Sequence, residues 1–218
     1  IESKSIKGVI FESSKNITKF SKRINKLFQK TFEGLGSKDI STLKENQTTV
    51  SKLDKDVDLI ANNVFYFIKN LDEASKESAS DFHMKILGGL ENITLSMQTI
   101  TKSIYKHFNN NHRGLTYNQL RELKELEDDM NNFFKKIVQT FEKQKYEEIK
   151  SIFSIKESLI KSLNKKIKLQ VSRTKDKDSG PRNTRLYFEF LNKTQNIVSE
   201  YLKILELYSE KYDKKIEE

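Results

Sequence analysis

The sequence predicts an all-α protein of six long helices, arranged as two sets of three. Three observations carry that prediction. First, the stretch from Asp81 to Phe108 sets Phe82, Ile86, Leu90, Ile93, Met97, Ile100, Ile104 and Phe108 at steps of three or four, one apolar stripe along a helix. Second, the stripe returns between Thr184 and Tyr212. With a shift of 104 positions Ile86 meets Phe190, Leu87 meets Leu191, Asn92 meets Asn196, Ile93 meets Ile197, Met97 meets Tyr201, Ile104 meets Tyr208 and Phe108 meets Tyr212. A stripe that keeps phase over roughly seven turns reads as an internal repeat of about half the chain. Third, the 218 residues include one Pro and seven Gly, while 35% are hydrophobic and 33% charged. Few breakers and many charges describe amphipathic helices with one buried stripe and a wet back, and the pattern is too periodic for a disordered chain.

Each element follows from its own stripe. The first helix, Ile1 to about Leu35, carries Ile6, Val9, Ile10, Ile17, Phe20, Ile24, Leu27, Phe28 and Phe32, and Gly34, Gly36 and Ser37 end it. Asp39 or Ser41 caps a second helix that runs to about Leu71 on Leu43, Val50, Leu53, Val57, Ile60 and Val64. Asp72 to Ser80 reads as a polar turn before the third helix. Within that helix Gly88 and Gly89 predict close approach of a neighbour, because each costs about 1 kcal/mol against Ala. Asn109 to Thr116 favours a C-cap and turn. The fourth helix holds Leu120, Leu123, Leu126, Met130, Phe133, Ile137 and Phe141, and the fifth runs from near Tyr146 to Val171. Thr174 to Thr184, with the only proline, is a loop, and the sixth helix fills the rest. Short connections make neighbours antiparallel. Residues 1–110 form the first three-helix bundle and 111–218 the second, packed as one domain.

Composition narrows the function. Cysteine is absent, so there is no disulfide framework and no thiolate chemistry. No run reaches the roughly 18 apolar residues of a membrane span, and no signal peptide is visible. The net charge of +9 fits a Lys-rich wet surface or an anionic membrane face. Arginines number only six, and a reader of nucleic acid normally relies on their planar fork, so no nucleic-acid partner is expected.

Catalytic patterns are missing. His83, His107 and His112 stand in no His-Glu-x-x-His or Glu-x-x-His motif and read as surface or cap histidines. No Ser, His and acid arrangement has recognisable spacing, and an enzyme is not expected. Asp54 and Asp58, one turn apart, are candidates to share a divalent cation. The alternative is a solvated face offset by Lys52 and Lys55, as for the acidic run Glu122, Glu125, Glu127, Asp128 and Asp129 beside Lys124. No cofactor is indicated. Arg182, Asn183 and Arg185, at the start of the sixth helix, are candidate anion ligands, with ordinary capping by Asn183 or Thr184 the alternative.

Two short segments then point to a family. Asn110-Asn111-His112-Arg113-Gly114-Leu115 before the fourth helix and Arg182-Asn183-Thr184-Arg185-Leu186-Tyr187 opening the sixth resemble the PhoU-like cytosolic C-terminal domain of bacterial PiT-type inorganic phosphate transporters. The length and order of all six helices extend the resemblance over nearly the whole chain. PhoU repeats resemble Leu-Glu-Arg-Ile-Gly-Asp, whose acids bind metal clusters. Here Leu90-Glu91-Asn92-Ile93-Thr94-Leu95 keeps only Glu91, and Thr194-Gln195-Asn196-Ile197-Val198-Ser199 keeps neither acid. The resemblance therefore implies the fold and a link to phosphate transport, without the metal cluster. It implies a non-enzymatic regulatory domain, cytoplasmic and peripheral to or tethered at the inner membrane, whose partner is the membrane domain of a phosphate permease. A helical scaffold that self-associates, through exposed Phe65, Phe134 and Tyr187, is the other expectation.

Overall fold

The computed structural model describes residues 6–175 and 180–213, with side chains through Lys211. Ile1–Ser5, part of the expected loop at 176–179 and the side chain of Tyr212 lie outside the described residues. Six helices separated by short connections make up the described chain: α1 is Ile6–Ser37, α2 Ile40–Ile68, α3 Glu73–Asn109, α4 Tyr117–Glu142, α5 Ile149–Lys175 and α6 Pro181–Asp213. A single 3₁₀ turn, Tyr146–Glu148, leads into α5.

Caps set the boundaries. Asp39 accepts a hydrogen bond from the Ser41 amide and starts α2. Asp72 accepts from both the amide and the hydroxyl of Ser75, at 2.9 and 2.8 Å. That cap starts α3 at Glu73, so the expected polar turn is instead the first two turns of a helix about 55 Å long. Thr116 and Gln119 form a reciprocal capping box on α4. Pro181 opens α6 earlier than Thr184, with the Thr184 amide already donating to the Gly180 carbonyl at 3.0 Å.

The four helices α1, α3, α4 and α6 make the centre. α1 packs on α4 and α3 on α6, joining the halves, while α2 covers the α1 and α3 edge and α5 covers the α4 and α6 edge. Both central pairs are antiparallel. Asn25 on α1 bonds Asn131 on α4 at 2.9 Å, and Ser14, earlier on α1, meets Tyr146 just past α4 at 2.5 Å. Phe82 near the start of α3 stacks edge-on against Tyr208 near the end of α6. Gly89 of α3 faces Ile204, and a Cβ there would stand 3.0 Å from the Ile204 side chain. The expected close approach is thus real at Gly89, whereas Gly88 faces open space. Thr99 and Lys193 share the wall of one groove further along. Under the 104-residue shift Lys193 corresponds to Gly89 and Ile204 to Ile100, one position from Thr99.

One contiguous apolar core runs through all six helices. Its centre stacks Phe28, Phe133, Phe134, Phe190 and Tyr201. The Tyr201 hydroxyl shares a 2.9 Å hydrogen bond with Ser21, and Tyr208 donates to the Ile10 carbonyl at 3.3 Å, so the buried phenols keep partners. Phe134 and Tyr187, expected on the surface, are fully buried, because α4 and α6 are covered on two sides. Phe65 is exposed as expected. No described helix is long and apolar enough to cross a membrane.

Candidate functional site

The sequence places Arg182 and Arg185 one helical step apart at the start of α6. The antiparallel α3·α6 pair brings the last turns of α3 beside them. There Lys102 and Lys106 stand one turn apart on the same face. Between these four cations lies a cavity of about 330 Å³ that Ser103, His107, Asn110, His112 and Glu189 also line. None of the four cations has a carboxylate of the described residues within 4.0 Å, although Glu189 reaches the wall. Unpaired cations sharing one concave wall repel each other and are relieved by an anion.

The loop that floors the cavity is rigidly closed. Asn111 adopts a left-handed backbone, φ 56°. Its amide donates to Phe108 at 3.0 Å and the His112 amide donates to His107 at 3.1 Å, the paired closure of a Schellman motif. Asn serves here in place of Gly because it tolerates that region. His107 is buried, and its Nε2–H donates to the Arg113 carbonyl at 2.6 Å. The acceptor being a carbonyl, the proton sits on Nε2. Asn183 donates from Nδ2 to the Gly114 carbonyl at 2.9 Å. Its amide is therefore committed to holding α6 against the loop, and it is absent from the cavity wall, unlike its neighbours Arg182 and Arg185.

His112 crosses His107 edge-on with ring centres 5.1 Å apart. Partial desolvation, then the charges of Arg182 and His107, lower its pKa. An imidazole so placed is neutral at neutral pH and offers a hydrogen-bonding edge whose protonation an anion beside Arg182 would favour.

Behind the cavity, a buried polar network locks α4, α5 and α6. Tyr187 donates to Glu122 at 2.6 Å, and Arg173 bonds the other Glu122 oxygen. Arg173 also donates to Gln170 at 2.9 Å, and Gln170 links Gln119 and Thr184 at 3.0 Å each. Burial, then the bond to Glu122, raises the Tyr187 pKa, so it stays a phenol. The acidic run is therefore divided. Glu122 is interior, Glu127 pairs with Lys124, and Glu125 pairs with the buried Lys166.

The cation candidates stand apart from this site. Asp54 and Asp58 are exposed on α2, where the nearby Asp56 pairs with Arg23, and Glu91 is exposed on α3 beside exposed Leu95. No group of three or more His, Asp or Glu among the described residues could hold a metal ion. A larger volume, about 790 Å³, runs along α5, but its described lining comes from that one helix and is open surface rather than an enclosing site.

The sequence picks out Arg182 and Arg185 but not Lys102 or Lys106. The available signal was the Lys102 and Lys106 spacing on a face that points away from the apolar stripe. The fold is a helical bundle, and its α3·α6 cavity is walled by four cations that form no ion pair among the described residues. No protein-family model matches the chain, no curated protein matches its sequence, and no solved structure matches its fold.

Proposed function

We propose that this chain is a non-enzymatic regulatory domain of inorganic phosphate transport, acting by protein contact at the cytosolic face of a phosphate permease. The observation that carries the reading is the convergence of Lys102, Lys106, Arg182 and Arg185 on one cavity, roomy enough to admit an oxyanion. Both segments that resemble the transporter-linked domain bear on it, since His112 and Arg182 line it and Asn183 ties them together. Occupation of the cavity joins α3 to α6, one of the two helix pairs that connect the halves. An anion there changes how firmly the halves pack, and through them the surface offered to the permease.

Titration of the full chain with inorganic phosphate tests the site. Each charge-assisted contact is worth about 1.5–3 kcal/mol, so R182Q/R185Q lowers affinity by about 100-fold or more. Co-purification with a permease, and phosphate uptake after deletion of this segment, test the role. Uptake and regulation that stay unchanged after deletion overturn it.

A second reading, a self-associating helical scaffold unrelated to phosphate, is favoured by the exposed Leu59, Phe65 and Tyr66 on α2 and Met84 on α3. Light scattering during size exclusion separates the two: a strictly monomeric chain rejects the self-associating scaffold.

A further inference from the structure

The positive charge of the chain is not spread evenly. α5 carries seven lysines and one arginine against one glutamate, a net +7 set beside +9 for the whole chain. α2, on the opposite edge of the bundle, carries three lysines against four acids. The two outer helices thus give the molecule a charge axis, with α5 at its positive end.

Two of the α5 cations belong to the interior. Lys166 is buried and reaches Glu125 at 3.3 Å, and Arg173 bonds Glu122. The other six, Lys150, Lys156, Lys161, Lys165, Lys168 and Lys175, are exposed and form no ion pair among the described residues. Lys161, Lys165, Lys168, Ser172 and Lys175 follow steps of four and three, a stripe facing away from α4 and α6. Like charges at such spacing destabilise a helix. No ion pair among the described residues compensates them. Leu169 and Val171 stand exposed beside the stripe, at 41% and 42%.

α1 is the other basic helix, with six lysines and one arginine against two glutamates. Its charge is partly answered, since Lys15 pairs with Glu12, Lys22 with Glu142 and Arg23 with Asp56. It also lies in the centre of the bundle rather than on its edge.

We infer that the outward face of α5 docks on an anionic phospholipid surface. Lysines present mobile point charges suited to a fluid layer of headgroups, and a straight edge helix of about 40 Å lies along a plane. Leu169 and Val171 then enter the headgroup boundary while neighbouring lysine stems extend to the phosphates. Nucleic acid is disfavoured because the stripe has no arginine to read base edges or clamp phosphates bidentately. The inference rests on the membrane-side placement proposed above and gives it an orientation: α5 toward lipid, α2 away. It does not depend on what fills the α3·α6 cavity.

The test is sedimentation of the full chain with vesicles of phosphatidylcholine alone or with about one-third phosphatidylglycerol. Binding is expected only to the anionic vesicles and is expected to fall as salt rises from about 0.1 to 1 M, where screening shortens from about 10 to 3 Å. A lysine near such a surface is worth about fivefold in partitioning. K161Q/K165Q/K168Q therefore loses ~100-fold, while K19Q/K26Q/K30Q on α1 binds within a few-fold of the wild type. Circular dichroism and phosphate titration in lipid-free solution confirm that each variant is folded and keep the outcome separate from that of the anion site. Three results overturn the inference: no binding to anionic vesicles at low salt, equal binding by the α5 variant, or loss confined to the α1 variant. Tight binding to a DNA duplex without vesicle binding rejects lipid as the occupant.

Discussion

His83 is the residue whose position the fold tolerates at a cost. It is 1% exposed, packs edge-on against Phe65, and neither ring nitrogen has a hydrogen-bond partner. Burial lowers its pKa, and the Ala61 carbonyl, near the ring but too poorly placed to complete a hydrogen bond, offsets part of that effect. The unfolded chain thus takes up a proton near the ordinary pKa of about 6.5 while the folded chain resists it. Stability from this residue is fully present above that pH and is lost as pH falls towards the lower folded pKa. Urea denaturation at pH 7.5 and 5.5 should show the loss. H83L should remove that part of the pH dependence and, by deleting an unsatisfied buried polar group, raise stability at pH 7.5 by about 1 kcal/mol. A variant that keeps the wild-type slope would assign the pH dependence elsewhere. His112 predicts the opposite use of a proton. An anion beside Arg182 raises the lowered His112 pKa, so sulfate, whose charge is constant over this range, should bind more tightly as pH falls from 7.5 to 5.5. H112Q should flatten that profile in a calorimetric titration.

At the scale of elements, the two adjacent glycines of α3 separate propensity from packing. Gly88 faces open space, so G88A should stabilise the chain by about 1 kcal/mol, the ordinary helical gain over glycine. Gly89 meets Ile204 of α6, and a larger side chain there separates the helices. G89V should therefore destabilise by about 1–3 kcal/mol, as overpacking does, and thermal unfolding of the two variants should move in opposite directions. The sequence showed that both glycines were exceptional but not which one met a neighbour, because that depends on how α6 lies across α3. The same gap explains the other differences. A single stripe identifies a helix buried on one side, and α2 and α5 conform to it. α4 and α6 are covered on two sides, so Phe134 and Tyr187, off the main stripe, are interior. The start of α3 was obscured because Ser-rich, charged residues after Asp72 look like a turn until Asp72 is seen capping Ser75. Within the cavity, Arg182 and Arg185 were legible as a local motif. Lys102 and Lys106 join them only through the antiparallel α3·α6 pairing, which no local pattern contains.

The whole molecule is two sequence halves with one core. Phe28 of α1 packs against Phe134 and Phe190, and Tyr201 of α6 reaches back to Ser21. Cutting the chain near residue 110 would expose the inner faces of α1 and α3, including Phe28, which packs on Phe134 and Phe190, and Phe82, which packs on Tyr208, both buried in the intact fold. Burial of each such side chain is worth about 1.5–3 kcal/mol, and a folded domain retains only about 5–15 kcal/mol in total. Neither half can lose that interface and remain a stable monomer. The intact chain should therefore unfold in urea as one cooperative transition, with far-ultraviolet circular dichroism and tyrosine fluorescence coinciding. Residues 1–110 alone should aggregate or remain loosely packed rather than show a sharp transition of their own. Two separated transitions in the intact chain would instead make each half an independent domain. The proposed coupling between an anion at the α3·α6 cavity and distant surfaces would then lose its physical basis.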